Sequence, residues 1–163
     1  MSEIRERRFQ PSLGLLVVGL LVAVPAAAPA AALILDGPTV LQQSPTAIQA
    51  SLGRPVRAKT VPPGDFLLPE GGVWRSYGGH GMRIDVDFER DRSTTVVIDF
   101  PDDAIAPRTF EAALEAINLP SCPRPDLVMR DSREWHNLHG YYVRVVASRD
   151  RIDSIILSVH PFP

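Results

Sequence analysis

The sequence has one cysteine, no excess of basic residues and none of the short motifs that mark common catalytic sites. The single Cys122 excludes a disulfide scaffold and a zinc site built on cysteines. Seventeen Lys and Arg residues against 19 Asp and Glu residues give a formal charge of −2, which excludes the bulk positive charge of a nucleic-acid binder. There is no G-x-S-x-G nucleophile motif and no glycine-rich loop before a helix. We therefore predict a protein that is not an enzyme and that binds no cofactor.

The longest apolar stretch lies near the N-terminus, where residues 13–24 are LGLLVVGLLVAV. Arg5, Arg7 and Arg8 precede it, and an alanine-rich stretch follows Pro25. A positive start, an apolar run and small residues at a cleavage site are typical of a secretory signal peptide. The alternative is an uncleaved signal anchor, because residues 13–35 are long enough to cross a bilayer. Residues 1–32 thus predict a periplasmic or extracellular protein, or one anchored in the inner membrane.

Two segments of the remaining chain resemble each other. His80-Gly81 corresponds to His139-Gly140, and the sequence Arg-Asp-Arg follows in both, at residues 90–92 and 149–151. Around these positions apolar and polar residues alternate, which is typical of strands with one buried face. We predict one helix-plus-meander unit present twice, in residues 33–103 and 104–163, and hence an α+β fold that arose by tandem duplication. The alternative is two unrelated hairpins with similar turns.

Helix signals precede the strands of each predicted unit. Ser44 suits an N-cap, Pro45 the first turn and Gly53 the position after the last turn, which predicts a helix over residues 44–53. A second helix is predicted from residue 107 or 109 to residue 119, because Pro120 ends it.

The alternation also predicts a pairing register for the two hairpins. In this register two carboxylates, those of Asp85 and Asp99, face each other. The predicted opposite pairs are Val86–Ile98, Phe88–Val96 and Asp85–Asp99 in the first hairpin, and Val145–Leu157 and Ala147–Ile155 in the second.

A metal site is one interpretation of the acidic and histidine residues. Facing carboxylates repel unless a cation lies between them, and histidines could complete a ligand set. The favoured interpretation is a solvated acidic sheet face, with His80 and His139 as turn residues before glycine. The candidate ligands are Asp85, Asp99, His136 and His139.

A protein-binding surface is the hypothesis for the aromatic residues. Trp, Tyr and Arg are enriched where proteins bind one another, and these types cluster in the predicted strands. The alternative is that the rings pack in the core. The candidate residues are Trp74, Tyr77, Trp135, Tyr141, Tyr142 and Arg144. For Cys122 a buried, inert thiol is favoured over one that forms an intermolecular bridge.

The junction Leu52-Gly53-Arg54-Pro55 after the first helix, followed by a meander in a short exported chain, resembles BamE-like and β-lactamase-inhibitor-protein-like modules. The looser Asn118-Leu119-Pro120 follows the second helix. The resemblance implies a non-catalytic protein that binds other proteins through its sheet face. The chain lacks the lipid-bearing cysteine that is usual in outer-membrane assembly lipoproteins, so that role is not implied.

These observations lead to one main functional hypothesis. It is a non-catalytic, exported or envelope-associated module that binds another protein or an envelope component, not nucleic acid. Contact with the membrane is expected only through an uncleaved N-terminal segment. The alternatives are a small metal-dependent hydrolase that uses the acidic residues and histidines, and a purely structural membrane-anchored protein.

Overall fold

The computed structural model describes residues 33–65, 68, 70–79, 81–102 and 105–162. The predicted signal peptide or anchor and the residue His80 lie outside the described residues. None of the described helices has the length and apolarity needed to span a bilayer. The elements are α1 (Gly37–Val40), α2 (Pro45–Leu52), β1 (Arg57–Val61), β2 (Gly72–Gly79), β3 (Met82–Glu89), β4 (Arg92–Asp99), α3 (Phe110–Ala116), β5 (Leu127–Val128), β6 (Ser132–Leu138), β7 (Tyr141–Ser148) and β8 (Arg151–Ser158).

All eight strands belong to one antiparallel sheet. Its order is β1-β2-β3-β4-β8-β7-β6-β5, so β4 and β8 are neighbours at the centre and β1 and β5 are the edges. The predicted α+β fold of duplicated helix-plus-meander units is therefore wrong. The described helices have only four, eight and seven residues, and the strands of both predicted units pair into a single sheet.

The helix ends follow from local chemistry. In α2 the Ser44 hydroxyl accepts a hydrogen bond from the Ala47 amide at 3.2 Å, Pro45 occupies the first turn, and Gly53 ends the helix at φ 82°. The predicted helix at residues 44–53 is thus confirmed. The second predicted helix is shorter than expected because Asn118 adopts φ 61°, which a right-handed helix does not accommodate.

The predicted register is wrong in both hairpins, by three residues next to the turn, where Phe88 pairs with Ser93 and Ala147 with Ile152, and by two residues further along the strands. Val86 pairs with Val96 instead of Ile98, and Val145 pairs with Ile155 instead of Leu157. Both loops have two residues, and in the first loop Arg90 and Asp91 both have positive φ, as a tight hairpin turn requires. A register shift of one residue also occurs in each hairpin, between Asp87 and Phe88 and between Val146 and Ala147.

A slip of two residues leaves every side chain on its predicted face, because strand side chains alternate. The apolar residues of the central strands accordingly face the helices, and side chains from all three helices or their flanking residues join them in one core. The sheet contributes Tyr77, Ile84, Val86, Phe88, Val96, Ile98, Trp135, Leu138, Val143, Val145, Ile152, Ile155 and Leu157 to that core. We call the opposite side of the sheet, which none of the described helices covers, the helix-free face.

Candidate functional site

The helix-free face presents a row of side chains that crosses the whole sheet. The registers of the seven strand pairs place these residues directly opposite one another, one from each strand. From β1 to β5 the row is Arg57, Ser76, Asp85, Val97, Ile156, Arg144, Glu134 and Leu127. Its centre is apolar and half-buried, with a carboxylate on one side and a guanidinium on the other.

A second, parallel row holds two aromatic side chains. In register order it is Lys59, Trp74, Asp87, Thr95, Ser158 and Tyr142. The Thr95 and Ser158 hydroxyls are 3.2 Å apart and join β4 to β8 across this face. The rings of Trp74 and Tyr142 are half-exposed and stand on the two halves of the sheet, on either side of that junction.

The six residues predicted to form a binding surface divide between the two faces. Trp74, Tyr142 and Arg144 lie on the helix-free face, and the structure brings the latter two together on β7. Tyr77 and Trp135 are each only 2% exposed and belong to the core, where an interaction surface cannot use them. Tyr141 packs against the core from its edge. The core interpretation therefore applies to these three, because alternation places them on the helix-facing side.

Arg144 is fixed by a carboxylate that sequence reasoning did not single out. Its Nε donates a hydrogen bond to Glu134 Oε1 at 2.6 Å, and the Glu134 side chain is only 4% exposed. His136 Nε2 lies 3.5 Å from the other Glu134 oxygen, and its ring is 5.9 Å from the Tyr142 ring. No sequence signal marked this burial, because alternation places Glu134 on the side of β6 opposite Trp135, where an exposed carboxylate is expected.

The predicted facing pair of carboxylates, Asp85 and Asp99, does not form. Asp99 is opposite Arg83, whose Nη2 donates to Asp99 Oδ2 at 2.5 Å, and Arg83 Nε lies 3.4 Å from Asp85 Oδ2. Asp85 is opposite the apolar Val97. One arginine therefore bridges both carboxylates, and no cation is needed to explain their proximity.

The candidate metal ligands are not brought together. His139 adopts φ 52° in the turn before Gly140, and its Nε2 is 2.9 Å from Ser121 Oγ, whereas His136 lies beside Glu134. The described residues contain no group of three or more His, Cys, Asp or Glu side chains arranged to hold a metal ion. The geometry thus gives no support to the hydrolase alternative.

Asp87 is the most perturbed carboxyl group of the helix-free face. The residue is 7% exposed, and burial, reinforced by the negative charges of Asp85, Asp65 and Glu89, raises the pKa of Asp87 to about 6. A carboxylate held in this way is an electrostatic cost to the fold near neutral pH. The neighbouring carboxylates Asp85, Asp87 and Glu89 all belong to β3, so we call the half of the helix-free face formed by β1–β4 its acidic half.

Cys122 is exposed, so the prediction of a buried thiol is wrong. It lies in the loop between α3 and β5, with Sγ 4.0 Å from Glu111 Oε1. Partial burial and the negative charge of Glu111 raise the pKa of the Cys122 thiol. The thiolate needed for exchange or nucleophilic attack is therefore disfavoured.

A groove of about 500 Å³ opens on the helix side, between residues 33–36 and α2. Its walls are mainly aliphatic, and Asp36 is the one ionisable residue among those that line it. A single carboxylate does not supply the acid and base pair that hydrolytic catalysis needs. The helix-free face is therefore the surface with the more developed chemistry.

No family model, curated protein or solved structure matches this chain.

Proposed function

We propose that this chain is a non-catalytic, exported or envelope-associated module that binds another protein through the helix-free face of its sheet. The observation that carries the proposal is the composition of that face at its centre. Arg144 is directly opposite Ile156 of the half-exposed pair Val97 and Ile156, and Tyr142 on β7 and Trp74 on β2 stand to either side, on a sheet side that none of the described helices covers.

This composition is the one that protein interfaces favour. Aromatic rings and arginine supply large contact areas and dominate the binding free energy in many complexes. Half-exposed Val97 and Ile156 add apolar area at the centre, where water is excluded when a partner binds. A solvated sheet face with no partner would be expected to carry polar side chains at these positions.

The charges of the face define the orientation of a partner. Asp85 and Arg144 lie on opposite sides of the apolar pair, three strand spacings apart, or about 14 Å. A partner that presents apolar side chains over this pair and polar groups at its two sides would be complementary, because Arg83 and Glu134 already neutralise Asp85 and Arg144. Such complementarity fixes the register of binding more than its strength.

The export part of the proposal rests on the sequence of residues 1–32, which has the three regions of a secretory signal. The relevant partners are therefore sought among envelope and secreted proteins.

A comparison of immobilised variants tests the proposal. We expect the purified wild-type protein to retain a specific envelope protein, and the Trp74→Ala/Tyr142→Ala double variant to retain at least about tenfold less, because removal of two interface aromatics typically costs more than 1.4 kcal/mol. Tyr141→Ala is the matched control, since this neighbouring tyrosine lies on the other side of β7 and packs against the core. Circular dichroism establishes that each variant is folded.

The retained protein is then purified and its Kd measured directly with all three forms. Equal affinity for the wild type and the double variant would contradict the proposal, as would the absence of any retained protein whose binding depends on this face.

A further inference from the structure

The tail that follows β8, residues 159–162, begins with Val159, which packs against the core, and its residues His160 and Phe162 then contact side chains of the helix-free face. The Val159 amide donates a hydrogen bond to the Thr94 carbonyl at 2.9 Å, and the His160 amide donates to Ser158 Oγ at 3.0 Å. Phe162 then lies against β7, where the Arg144 guanidinium carbon is 4.5 Å from the centre of its ring. The tail thus places an aromatic side chain on Arg144, beside the apolar centre of the proposed interface.

Arg144 is prepared to receive a ring. Its Nε hydrogen bond to the buried Glu134 carboxylate, at 2.6 Å, restricts the orientation of the planar guanidinium. A fixed guanidinium plane stacks on an aromatic face without losing further side-chain freedom. The pair Arg144–Glu134 is therefore a preorganised site for an aromatic side chain, which Phe162 occupies in this structure.

A second contact of the tail involves His160, two positions before Phe162. His160 Nε2 is 3.6 Å from Glu89 Oε2, at the acidic half of the face. The imidazole side chain is 60% exposed, so this contact holds the tail only loosely. Beyond Val159 no residue of the described tail belongs to a strand. A segment with stronger contacts could therefore displace it.

We infer that the partner of the helix-free face presents an extended segment with an aromatic side chain preceded, two positions earlier, by a basic one. The aromatic ring takes the place of Phe162 on Arg144, and the basic group takes the place of His160 at Glu89. The chain's own tail is then an internal competitor for this site. This inference rests on the proposed function and specifies the partner's chemistry.

A peptide added in trans tests the inference. The receptor is the full chain with the substitution Phe162→Ala, which removes the aromatic ring from Arg144 and leaves the rest of the tail in place. The probe is a synthetic peptide with the sequence of residues 159–163, VHPFP. We expect it to bind saturably and to shift the backbone NMR signals of Arg144, which contacts the ring of Phe162, and of Glu134, which is hydrogen-bonded to Arg144.

Three controls identify the contacts. The peptide with alanine in place of its phenylalanine should bind about two- to fivefold more weakly, the usual size of an exposed cation–π contribution. Receptor variant Arg144→Lys, which keeps the charge beside Glu134 but loses the planar group, should show a similar loss. The wild-type receptor should also bind the peptide more weakly, because its own Phe162 competes.

Binding of both peptides with equal affinity, or no binding to a folded Phe162→Ala receptor, would overturn the inference. Neither result affects the proposed function, whose test depends on Trp74 and Tyr142. Conversely, failure of the envelope capture with retention of peptide binding would show an aromatic site without the proposed protein partner.

Discussion

Replacing Trp135 with alanine is expected to lower the free energy of unfolding by about 3–5 kcal/mol, the usual cost of truncating a buried tryptophan. The ring is 2% exposed and packs in the core opposite Val143. Its Nε1 also donates a hydrogen bond to the Pro123 carbonyl at 2.8 Å, which ties the loop before β5 to the sheet. The substitution therefore removes apolar burial and a hydrogen bond together.

Trp74→Ala is the matched control, because Trp74 is the other tryptophan of the chain and stands half-exposed on the helix-free face. It should change the free energy of unfolding by about 1 kcal/mol or less, as surface substitutions usually do. Urea denaturation followed by circular dichroism measures both, since each variant loses a fluorophore. Equal destabilisation by the two substitutions would contradict the assignment of the rings to opposite faces.

Asp87→Asn is expected to stabilise the protein at pH 7, by about 3 kcal/mol at most, because a shift of one pKa unit corresponds to about 1.36 kcal/mol and the shift is about two units. Burial and three neighbouring carboxylates raise the pKa of Asp87 from 3.8 to about 6. Between these two values the folded state binds more protons at this site than the unfolded state. The contribution of Asp87 to stability therefore improves as the pH falls from above 6 towards 4, and is least favourable above pH 6.

The pH dependence of stability distinguishes the ionisation of Asp87 from an effect of the substitution that does not depend on pH. The stability difference between Asp87→Asn and the wild type should be largest above pH 7 and shrink towards pH 4. Asp99→Asn is the control, because Asp99 is paired with Arg83 and its replacement should leave the protein equally or less stable at pH 7. A destabilised Asp87→Asn variant at pH 7 would show that the carboxylate is favourable in the fold.

Much of the sheet could be predicted from alternation alone, but the pairing partners could not. The apolar positions of β3, β4, β7 and β8 were assigned to the correct face because the side-chain period of a strand is two. The predicted register was wrong, because the tight turn at Arg90-Asp91 has positive φ angles although it contains neither glycine nor asparagine. The register shifts next to Phe88 and Ala147 are also not marked by any characteristic residue type in the sequence.

The single sheet was missed for a different reason. Pairing of β4 with β8 joins residues about 60 positions apart, and no local pattern specifies such a contact. The same limit explains why the sequence did not show which aromatic residues are buried. Trp74 and Tyr77 are three positions apart on one strand, so alternation separates them onto opposite faces, but only the long-range packing decides which face is covered.

The proposed function depends on the helix-free face being continuous across β4 and β8, and a cross-link measures this directly. Phe100 donates its amide hydrogen bond to the Asp153 carbonyl, and Val159 donates to Thr94. The alternation of antiparallel pairs therefore makes Val97–Ile156 a non-hydrogen-bonded pair, with Cα atoms about 4.5 Å apart, which suits a disulfide.

Cysteines are introduced at Val97 and Ile156 in a chain carrying Cys122→Ser, and the control chain has them at Asp85 and Ile156, two strands apart. We predict that mild oxidation links the first pair completely within one chain and leaves the control pair, about 10 Å apart, as free thiols. A folded chain in which the Val97 and Ile156 cysteines stay reduced would contradict the single sheet, and with it the continuous surface on which the proposed function depends.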